Sequence, residues 1–487
     1  MTSPRLAKNT LYLTLASVGQ KIIAFVYFTI IARYVGVEDT GAYFLSLAVI
    51  MMIGVLDDMG ITPVIIREIA RKTDDAKIWC RTVVGIKMVT MPLTVLIAYF
   101  VPVALGYDAE VTLLVRIAVA VMLADTLSLS FYGVLRGLQN LRYESLGIFI
   151  GQALTAILGI TFMATGIATL PLLIIALIVG SSWNMIFSAS QIVRKLGIGA
   201  LKPTWSLGWK PLKIAFAFFL AGIFVKVYSY VDSIILSLEI GKDAVGAYAV
   251  AYKFTYAFQF LPLAFVAALY PTMSAQASNT AELRQTLLNS LWYMSLIAAP
   301  IVFGIWAIAP EIVVAFYGSE FADSVLALQI LIFVLIPIFL DYPVGSLLNA
   351  TDRQKIKTAI MGVTMVINVV ANLLLIPAYG VVGACIAGVI SFCFLFLAGW
   401  HFACRVVDIT FTDVFKRTGG LYVAAIIMSA LVVVIKPYMH FVLAVPIGAV
   451  VFLGLAFAFR AVTMQQVRSL IKLFSRKPYA ANIPPNA

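Results

Sequence analysis

Fourteen long apolar runs constrain the fold of this chain more than any other feature. A membrane-spanning helix needs about 20 mostly apolar residues. We predict spans at 10–33, 40–60, 82–104, 112–135, 145–166, 168–192, 211–237, 245–270, 285–308, 322–348, 357–378, 379–403, 419–436 and 440–461. Because 62% of the 487 residues are hydrophobic and 11% are charged, polar groups could not cover a soluble surface. We therefore predict an all-α membrane protein of about 14 transmembrane helices, or thirteen or twelve if two runs merge or one only dips into the bilayer.

Lysine and arginine fall almost entirely on one side of the predicted bundle. Of the 34 such residues, 26 lie at the N-terminus, in the loops after even-numbered spans, or at the C-terminus; 3 lie on the opposite side and 5 inside spans. Positively charged segments stay in the cytoplasm, so we predict a cell-membrane protein with both termini cytoplasmic. This topology explains the net charge of +12 without a nucleic-acid partner.

The sequence contains a weak internal repeat with a spacing of six spans. Residues 30–43 resemble residues 234–248, and residues 133–140 resemble residues 345–352. An offset of six spans gives two copies in the same orientation, related by an axis along the membrane normal. We therefore predict two lobes of six helices each, followed by two extra C-terminal helices.

The repeat and the loop lengths together predict the division of the chain. The predicted units are an N-lobe at 1–195, a cytoplasmic linker at 196–210, a C-lobe at 211–405, spans thirteen and fourteen at 406–462, and a cytoplasmic amphipathic helix with a disordered tail at 463–487. A second amphipathic helix is predicted at 61–72, at the cytoplasmic interface.

Several short stretches resemble a known family. They are residues 7–10 with 32–36 and 41–43, residues 230–236 with 245–248, residues 348–355, and residues 376–387. With fourteen predicted spans, they resemble the oligosaccharide and polysaccharide flippases, of the O-antigen and teichoic-acid exporter type, in the multidrug/oligosaccharidyl-lipid/polysaccharide exporter superfamily. The resemblance implies a central cavity between the lobes and alternating access. It also implies a polyprenyl-pyrophosphate-linked glycan as substrate, moved from the cytoplasmic to the outer leaflet for cell-surface polysaccharide biosynthesis.

Ten ionisable side chains lie inside predicted spans. The cations are Lys21, Lys87, Arg116, Lys226 and Lys253, and the anions are Asp57, Asp58, Asp125, Asp232 and Asp341. A charge at the bilayer centre costs about 2.5–3.5 kcal/mol. These groups must therefore face the interior, pair with one another, or reach an interface.

We predict that the five cations bind the anionic head group of the substrate. Lys21 and Lys226 are the main candidates, because each lies in the middle of the first span of its lobe, and we expect both to project into one cavity between the lobes. An internal salt bridge from Lys226 to Asp232 or Asp125 is the alternative. Lys87 and Arg116 would otherwise snorkel to an interface.

The remaining candidates have similar alternatives. Tyr228 and Tyr256 are predicted to stack on sugar rings, although ordinary packing or an interfacial belt would also explain them. Asp125 and Asp232 are predicted to couple transport to a proton or sodium gradient. Asp57 and Asp58 would cap the end of span two, and Asp341, between two prolines, is expected in a broken helix.

The residue inventory argues against catalysis. There is no phosphate-binding loop, the only histidines are His401 and His440, and no spacing suits a metal. We expect a monomeric transporter, not an enzyme, without a catalytic residue, cofactor or metal, in contact with membrane lipid. A multidrug cation antiporter and a lipid II flippase of the same superfamily remain alternatives. A glycan polymerase or glycosyltransferase is the alternative from another class, but it would need a larger outer loop than residues 309–322.

Overall fold

Helices joined by short loops form the described chain, which contains no strand. The structure is a computed structural model that describes the backbone of residues 4–463 and the side chains of residues 18–463, apart from those at 264, 267 and 268. The helices are α1 (Pro4–Val35), α2 (Val37–Asp58), α3 (Ile61–Arg71), α4 (Ala76–Ala104), α5 (Ala109–Gly137), α6 (Arg142–Ala164), α7 (Leu170–Leu196), α8 (Lys210–Glu239), α9 (Lys242–Ala257), α10 (Phe260–Ala275), α11 (Thr280–Tyr317), α12 (Asp323–Leu331), α13 (Leu335–Ala350), α14 (Gln354–Val407), α15 (Phe411–Ile435) and α16 (Phe441–Ala458).

Twelve helical segments of the described chain are long and apolar enough to cross a bilayer. Helix α14 supplies two crossings, because it reverses at Gly380, where φ is 57°. Asn368 donates a hydrogen bond to Ser391 Oγ at 3.2 Å across this reversal, whereas 23 residues of straight helix would span about 35 Å. Helices α9 and α10 together form one further, interrupted crossing. The predicted all-α bundle of about 14 spans is confirmed.

The predicted boundaries differ from the structure at several points. The eighth span is interrupted between α9 and α10, and the tenth contains a 3-10 turn at Ile332–Val334. The predicted break around Asp341 is wrong, because that residue lies in the continuous helix α13. The break falls earlier because Pro337 cannot donate a helical hydrogen bond to Phe333, four residues before it, and its ring clashes with the carbonyl at that position.

Helix α3 matches the amphipathic helix predicted at 61–72, but its environment differs. Its apolar side chains Ile61, Val64, Ile65 and Ile69 are buried, and the helix packs against α5 and α8. The apolar face of α3 therefore packs against other helices of the protein and not against lipid. The amphipathic helix predicted at 463–474 and the tail that follows lie outside the described residues.

The two lobes meet mainly through α2, which packs against α8 and α9. The name N-lobe denotes helices α1–α7, and the name C-lobe denotes helices α8–α14. Of the two remaining helices, α15 packs on α11, and α16 packs on α15. A Cβ atom on Gly41 would lie 1.9 Å from the carbonyl oxygen of Lys242, and one on Gly246 would lie 2.0 Å from that of Val37. These two glycines are equivalent in the predicted repeat. A reciprocal contact of this kind is what a two-fold axis produces.

Candidate functional site

An ion cluster ties the lobes together beside the contact of Gly41 with Gly246. The ammonium of Lys242, at the start of α9, lies 3.1 Å from Glu38, 3.0 Å from Asp108 and 3.0 Å from Glu110. The three carboxylates belong to α2 and to the start of α5, in the N-lobe. We call these four residues the Lys242 cluster. It lies at the end of the bundle that the charge pattern predicts to face outside.

The Lys242 cluster predicts that acid separates the lobes in the wild type but not in the Lys242→Gln variant. Burial alone would raise the pKa of Asp108, but the N–H of Val111 and the ammonium of Lys242 outweigh it and lower that pKa. The attraction is therefore complete above the ordinary aspartate pKa and is lost as the pH falls through the lowered value. Without Lys242, the attraction between the lobes at this point is already lost, and the three carboxylates, which all belong to the N-lobe, have no cluster partner in the C-lobe whose attraction protonation could weaken.

The measurement is the distance between spin labels at Ala104 and Leu238, which lie at this end on opposite lobes. Acid should lengthen this distance in the wild type. In Lys242→Gln the distance should start longer and stay unchanged with acid. The same response to acid in both proteins would contradict the cluster's role.

Below this end, Lys226 extends from α8 into a cavity between the lobes, which we call the seam cavity. Its volume is about 360 Å³, and its other walls come from α2 and α5. Asp58 and Asp125 line it together with Lys226. The ammonium lies 5.4 Å from the ring centroid of Tyr230. The salt bridge considered between Lys226 and Asp232 is absent, because Asp232 accepts hydrogen bonds from Tyr248 and Ser233.

A second cavity lies inside the N-lobe and is reached by a lysine from the C-lobe. This N-lobe cavity has a volume of about 340 Å³ and is lined by α1, α2, α5, α6 and α7, together with Lys253 of α9. Lys253 Nζ lies 5.0 Å from the ring centroid of Phe28 and 5.5 Å from that of Phe44. Asp125 lines both the N-lobe cavity and the seam cavity, so the two spaces meet at its side chain.

Lys21 lies at the equivalent position on the other side of the contact between the lobes, where α1 faces α9. It lines a smaller cavity of about 180 Å³ with Phe25, Phe254, Phe258 and other apolar residues of α1, α9 and α10. We call this the portal cavity. Phe254, the residue that follows Lys253 on α9, lines the same cavity as Lys21. Lys21 and Lys226 thus line different cavities, each between the first span of one lobe and the second span of the other.

These three seam lysines differ from other lysines inside the bundle. Lys87 is 1% exposed, and its ammonium lies 2.8 Å from the Asp57 carboxylate. Lys357 is likewise 2.6 Å from Asp341. Among the residues described, no carboxylate lies within 4 Å of the ammonium of Lys21, Lys226 or Lys253. Within the described part of the chain, these three cations therefore have no carboxylate partner at the contact between the lobes.

Two of the predicted substrate-binding cations have other surroundings. Lys87 does not snorkel to an interface, and Asp57 does not simply cap α2, because they form a buried pair that also includes Thr90. The Arg116 guanidinium lies 3.9 Å from the ring centroid of Tyr99 on α4, and Tyr99 is half exposed on the outside of the lobe. The structure does not bring Lys87 or Arg116 to the seam lysines.

The predicted tyrosines line a cavity inside the C-lobe. Tyr228 and Tyr256 share a space of about 440 Å³ with Tyr252, Gln259 and the Lys357–Asp341 pair, among other residues. The rings of Tyr252 and Tyr256 are 4.2 Å apart between centroids. An aromatic wall beside amide groups can accommodate both the apolar and the hydroxyl-bearing parts of a polar ring.

Sequence reasoning missed uncharged polar residues in the middle of spans. Gln20, Gln152 and Asn184 line the N-lobe cavity, and each is an amide within a predicted apolar run. The desolvation argument applied to charges also applies to amides, with a smaller magnitude. That argument could have identified these three amides from the sequence. The Lys242 cluster could not be identified in this way, because its residues come from loops that are far apart in the sequence.

Comparisons with known proteins agree with this architecture. A family model described as polysaccharide biosynthesis protein matches residues 6–277, and one described as MatE matches residues 217–374. The probable low-salt glycan biosynthesis flippase Agl15 of Haloferax volcanii is 24% identical over 428 residues, covering 87% of this chain and 88% of the relative. The succinoglycan biosynthesis transport protein ExoT of Rhizobium meliloti is 22% identical, covering 65% of this chain and 63% of the relative.

Solved structures share the fold at low identity. The lipid II flippase MurJ in an inward closed conformation aligns with a TM-score of 0.76 and 17% identity, covering 95% of this chain and 100% of that chain. An inward-facing multidrug resistance MATE family transporter aligns with a TM-score of 0.65 and 15% identity, covering 82% of this chain and 99% of that chain.

The two-lobed bundle, with cavities at and beside its central seam, defines a multi-pass membrane transporter, not an enzyme. The chain belongs to the polysaccharide biosynthesis protein family, whose model covers more than half of its length. The resemblance to the oligosaccharide and polysaccharide flippases of the multidrug/oligosaccharidyl-lipid/polysaccharide exporter superfamily is thereby confirmed.

Proposed function

We propose that this chain flips a polyprenyl-pyrophosphate-linked glycan from the cytoplasmic to the outer leaflet by alternating access. One observation carries the proposal: Lys21, Lys226 and Lys253 lie at the lobe contact without a carboxylate partner among the described residues, whereas Lys87 and Lys357 are paired. An unpaired cation inside a membrane bundle is costly. A diphosphate would supply the missing negative charge.

The portal cavity supports a route for the lipid. Its walls are mostly aromatic and apolar, and α1 exposes Ile22 and Val26 on neighbouring turns. A polyprenyl chain can therefore remain in the bilayer beside α1 while the head group reaches Lys21 between the lobes. The tyrosines of the C-lobe cavity, Tyr228 and Tyr256, would stack on sugar units of the glycan.

Alternating access is supported by the two kinds of lobe contact. The Lys242 cluster and the glycine contact close one end, and positive charges predict that the opposite end faces the cytoplasm. The lobes would rock about the seam, exchanging these contacts for others. The same charge pattern places both termini in the cytoplasm, and the chain would act as a monomer.

Asp125 is the proposed coupling group, because it lines both the N-lobe cavity and the seam cavity. Asp232, buried with Tyr248 and Ser233, is the second. A proton or sodium ion at these carboxylates would alternate with the lysine–phosphate contacts. Collapsing both gradients in proteoliposomes should then stop transport, and unchanged transport would eliminate the coupling.

The decisive experiment measures flipping of a polyprenyl-pyrophosphate-linked oligosaccharide by purified protein in proteoliposomes. Lys21→Gln, Lys226→Gln and Lys253→Gln should each reduce the rate about tenfold or more, because each removes a charge-assisted contact to phosphate. Arginine at the same positions should retain more transport. The double Lys21→Gln/Lys226→Gln change should be less than additive if one ligand contacts both lysines.

Lys416→Gln is the matched control, since Lys416 is exposed at the start of α15. It should transport at the wild-type rate. Wild-type rates in all three seam variants would eliminate the phosphate site. A wild-type protein that moves a multidrug cation but not the lipid would favour the antiporter alternative.

A further inference from the structure

The N-lobe cavity contains more neutral hydrogen-bonding groups than phosphate binding or ion coupling requires. Gln20, Gln152, Asn184 and Thr155 line it with the aromatic rings of Tyr27 and Tyr43, among others. The side-chain amides of Gln20 and Gln152 have no hydrogen-bond partner among the described residues. An amide inside a membrane bundle without a partner carries a desolvation cost that a ligand or water would remove.

Glycines on α6 and α7 let these two helices pack closely, and this places polar groups at the cavity wall. A Cβ atom on Gly151 would lie 2.5 Å from Nδ2 of Asn184, and one on Gly180 would lie 2.0 Å from Oγ1 of Thr155. Asn184 is further oriented because its Oδ1 accepts a hydrogen bond from Tyr132 and its Nδ2 donates to the carbonyl of Gly180. The wall is therefore a fixed polar surface.

The chemistry of this cavity fits a neutral sugar ring. Amide groups both donate and accept hydrogen bonds, as sugar hydroxyls require, and the rings of Tyr27 and Phe28 offer apolar surface to the C–H face. The volume of about 340 Å³ falls within the range of small-molecule sites, roughly 300–1,000 Å³. The only charges among its lining residues are Asp125 and Lys253.

The position of Lys253 connects the cavity to the proposed pyrophosphate site. Its side chain enters the N-lobe cavity from α9, and the next residue, Phe254, lines the portal cavity together with Lys21. In a pyrophosphate-linked glycan, the first sugar is bonded directly to the outer phosphate. A phosphate held at Lys253 therefore brings that sugar to the wall formed by Gln152 and Asn184.

We propose that the N-lobe cavity is a saccharide subsite that binds the neutral sugar attached to the pyrophosphate. This proposal rests on the proposed flippase function and deepens it, because it assigns recognition of the first sugar to the N-lobe. The phosphate then contributes binding common to every substrate, and Gln20, Gln152 and Asn184 contribute the preference for the sugar.

The test compares equilibrium binding of two lipids to the full chain in nanodiscs: polyprenyl pyrophosphate carrying one neutral hexose, and the same lipid without sugar. The wild type should bind the hexose-bearing lipid about tenfold more tightly, the size of one or two neutral hydrogen bonds. Gln152→Leu should remove this difference while leaving binding of the sugar-free lipid unchanged. Gln20→Leu, on another helix, is the second variant, in case the first fails to fold.

Gln285→Leu is the matched control, because Gln285 is exposed on α11, and it should keep the wild-type preference. Equal wild-type affinity for both lipids, or a preference that persists in both cavity variants, would overturn the proposal. A variant that binds both lipids more weakly by the same factor would also overturn the proposal. That result is expected if the amides only line a water-filled path to Asp125 and do not contact the sugar. A wild type that prefers the hexose-bearing lipid but flips neither would instead refute the flippase function.

Discussion

Lys87→Met should lower the free energy of unfolding by about 3–5 kcal/mol, the cost of leaving a buried charge without its partner. In the wild type, the Lys87 ammonium donates to both the carboxylate and the backbone carbonyl of Asp57, each at 2.8 Å. Thr90 donates to the other carboxylate oxygen at 2.5 Å. Asp57 has no exposed surface, so water cannot replace the lost ammonium.

The measurement is equilibrium unfolding of purified protein in mixed detergent micelles. Lys77→Met provides the same substitution on the same helix at an exposed position, and it should change stability by less than about 0.5 kcal/mol. Adding Asp57→Leu to Lys87→Met should restore much of the loss, because an apolar pair can replace a buried ion pair. A single variant as stable as Lys77→Met would show that the pair does not stabilise the fold.

The sequence predicted the architecture because membrane helices follow a local rule. Each span needs about 20 apolar residues regardless of its partners, so their number and order were correct, including the pair that α14 forms on either side of Gly380. The positions of the interruptions were missed, although a proline follows each of them. The eighth span breaks after Ala257, shortly before Pro262 in the first turn of α10, and the tenth has its 3-10 turn at Ile332–Val334, one turn before Pro337. A proline disturbs the helical turn that precedes it, so the break lies before the proline and not at it.

The candidate site was predictable in its composition but not in its pairing. The desolvation argument identified ten ionisable residues inside spans, but it missed Lys357, the partner of Asp341, and it treated Lys87 and Lys226 alike. Their difference depends on what lies opposite: Asp57 meets Lys87, whereas Asp125 shares a cavity with Lys226 without forming an ion pair. Such partners come from other helices, and spacing along one sequence does not determine the rotation of each helix against its neighbours.

The repeat in the sequence has a structural consequence at Gly41 and Gly246. The sequence aligned these glycines as equivalents, and the structure packs them against each other across the lobe contact. Any Cβ atom on Gly41 would lie 1.9 Å from a backbone oxygen of α9, far inside the optimum of about 3.5 Å for non-bonded heavy atoms. Backbone cannot yield as a flexible side chain can, so the helices themselves must separate.

Gly41→Ala and Gly246→Ala should therefore each open the end of the bundle that the Lys242 cluster closes. Labels at Ala104 and Leu238, in a background without the four native cysteines, should report a distance distribution shifted to larger values by at least about 1.5 Å, the size of the overlap. Gly454→Ala on α16 is the control, because a Cβ atom there meets nothing within 4 Å. Its distribution should match the wild type.

The glycine variants also separate the conformational cycle from substrate binding. If alternating access needs this end to close, Gly41→Ala should reduce lipid flipping strongly while binding of the pyrophosphate lipid persists, since the glycines touch none of the three seam lysines in the described structure. Lys226→Gln should reduce both. An unchanged label distance in Gly41→Ala would mean that the lobes are held apart by other contacts. A longer distance with full transport would mean that closing this end is not required for flipping.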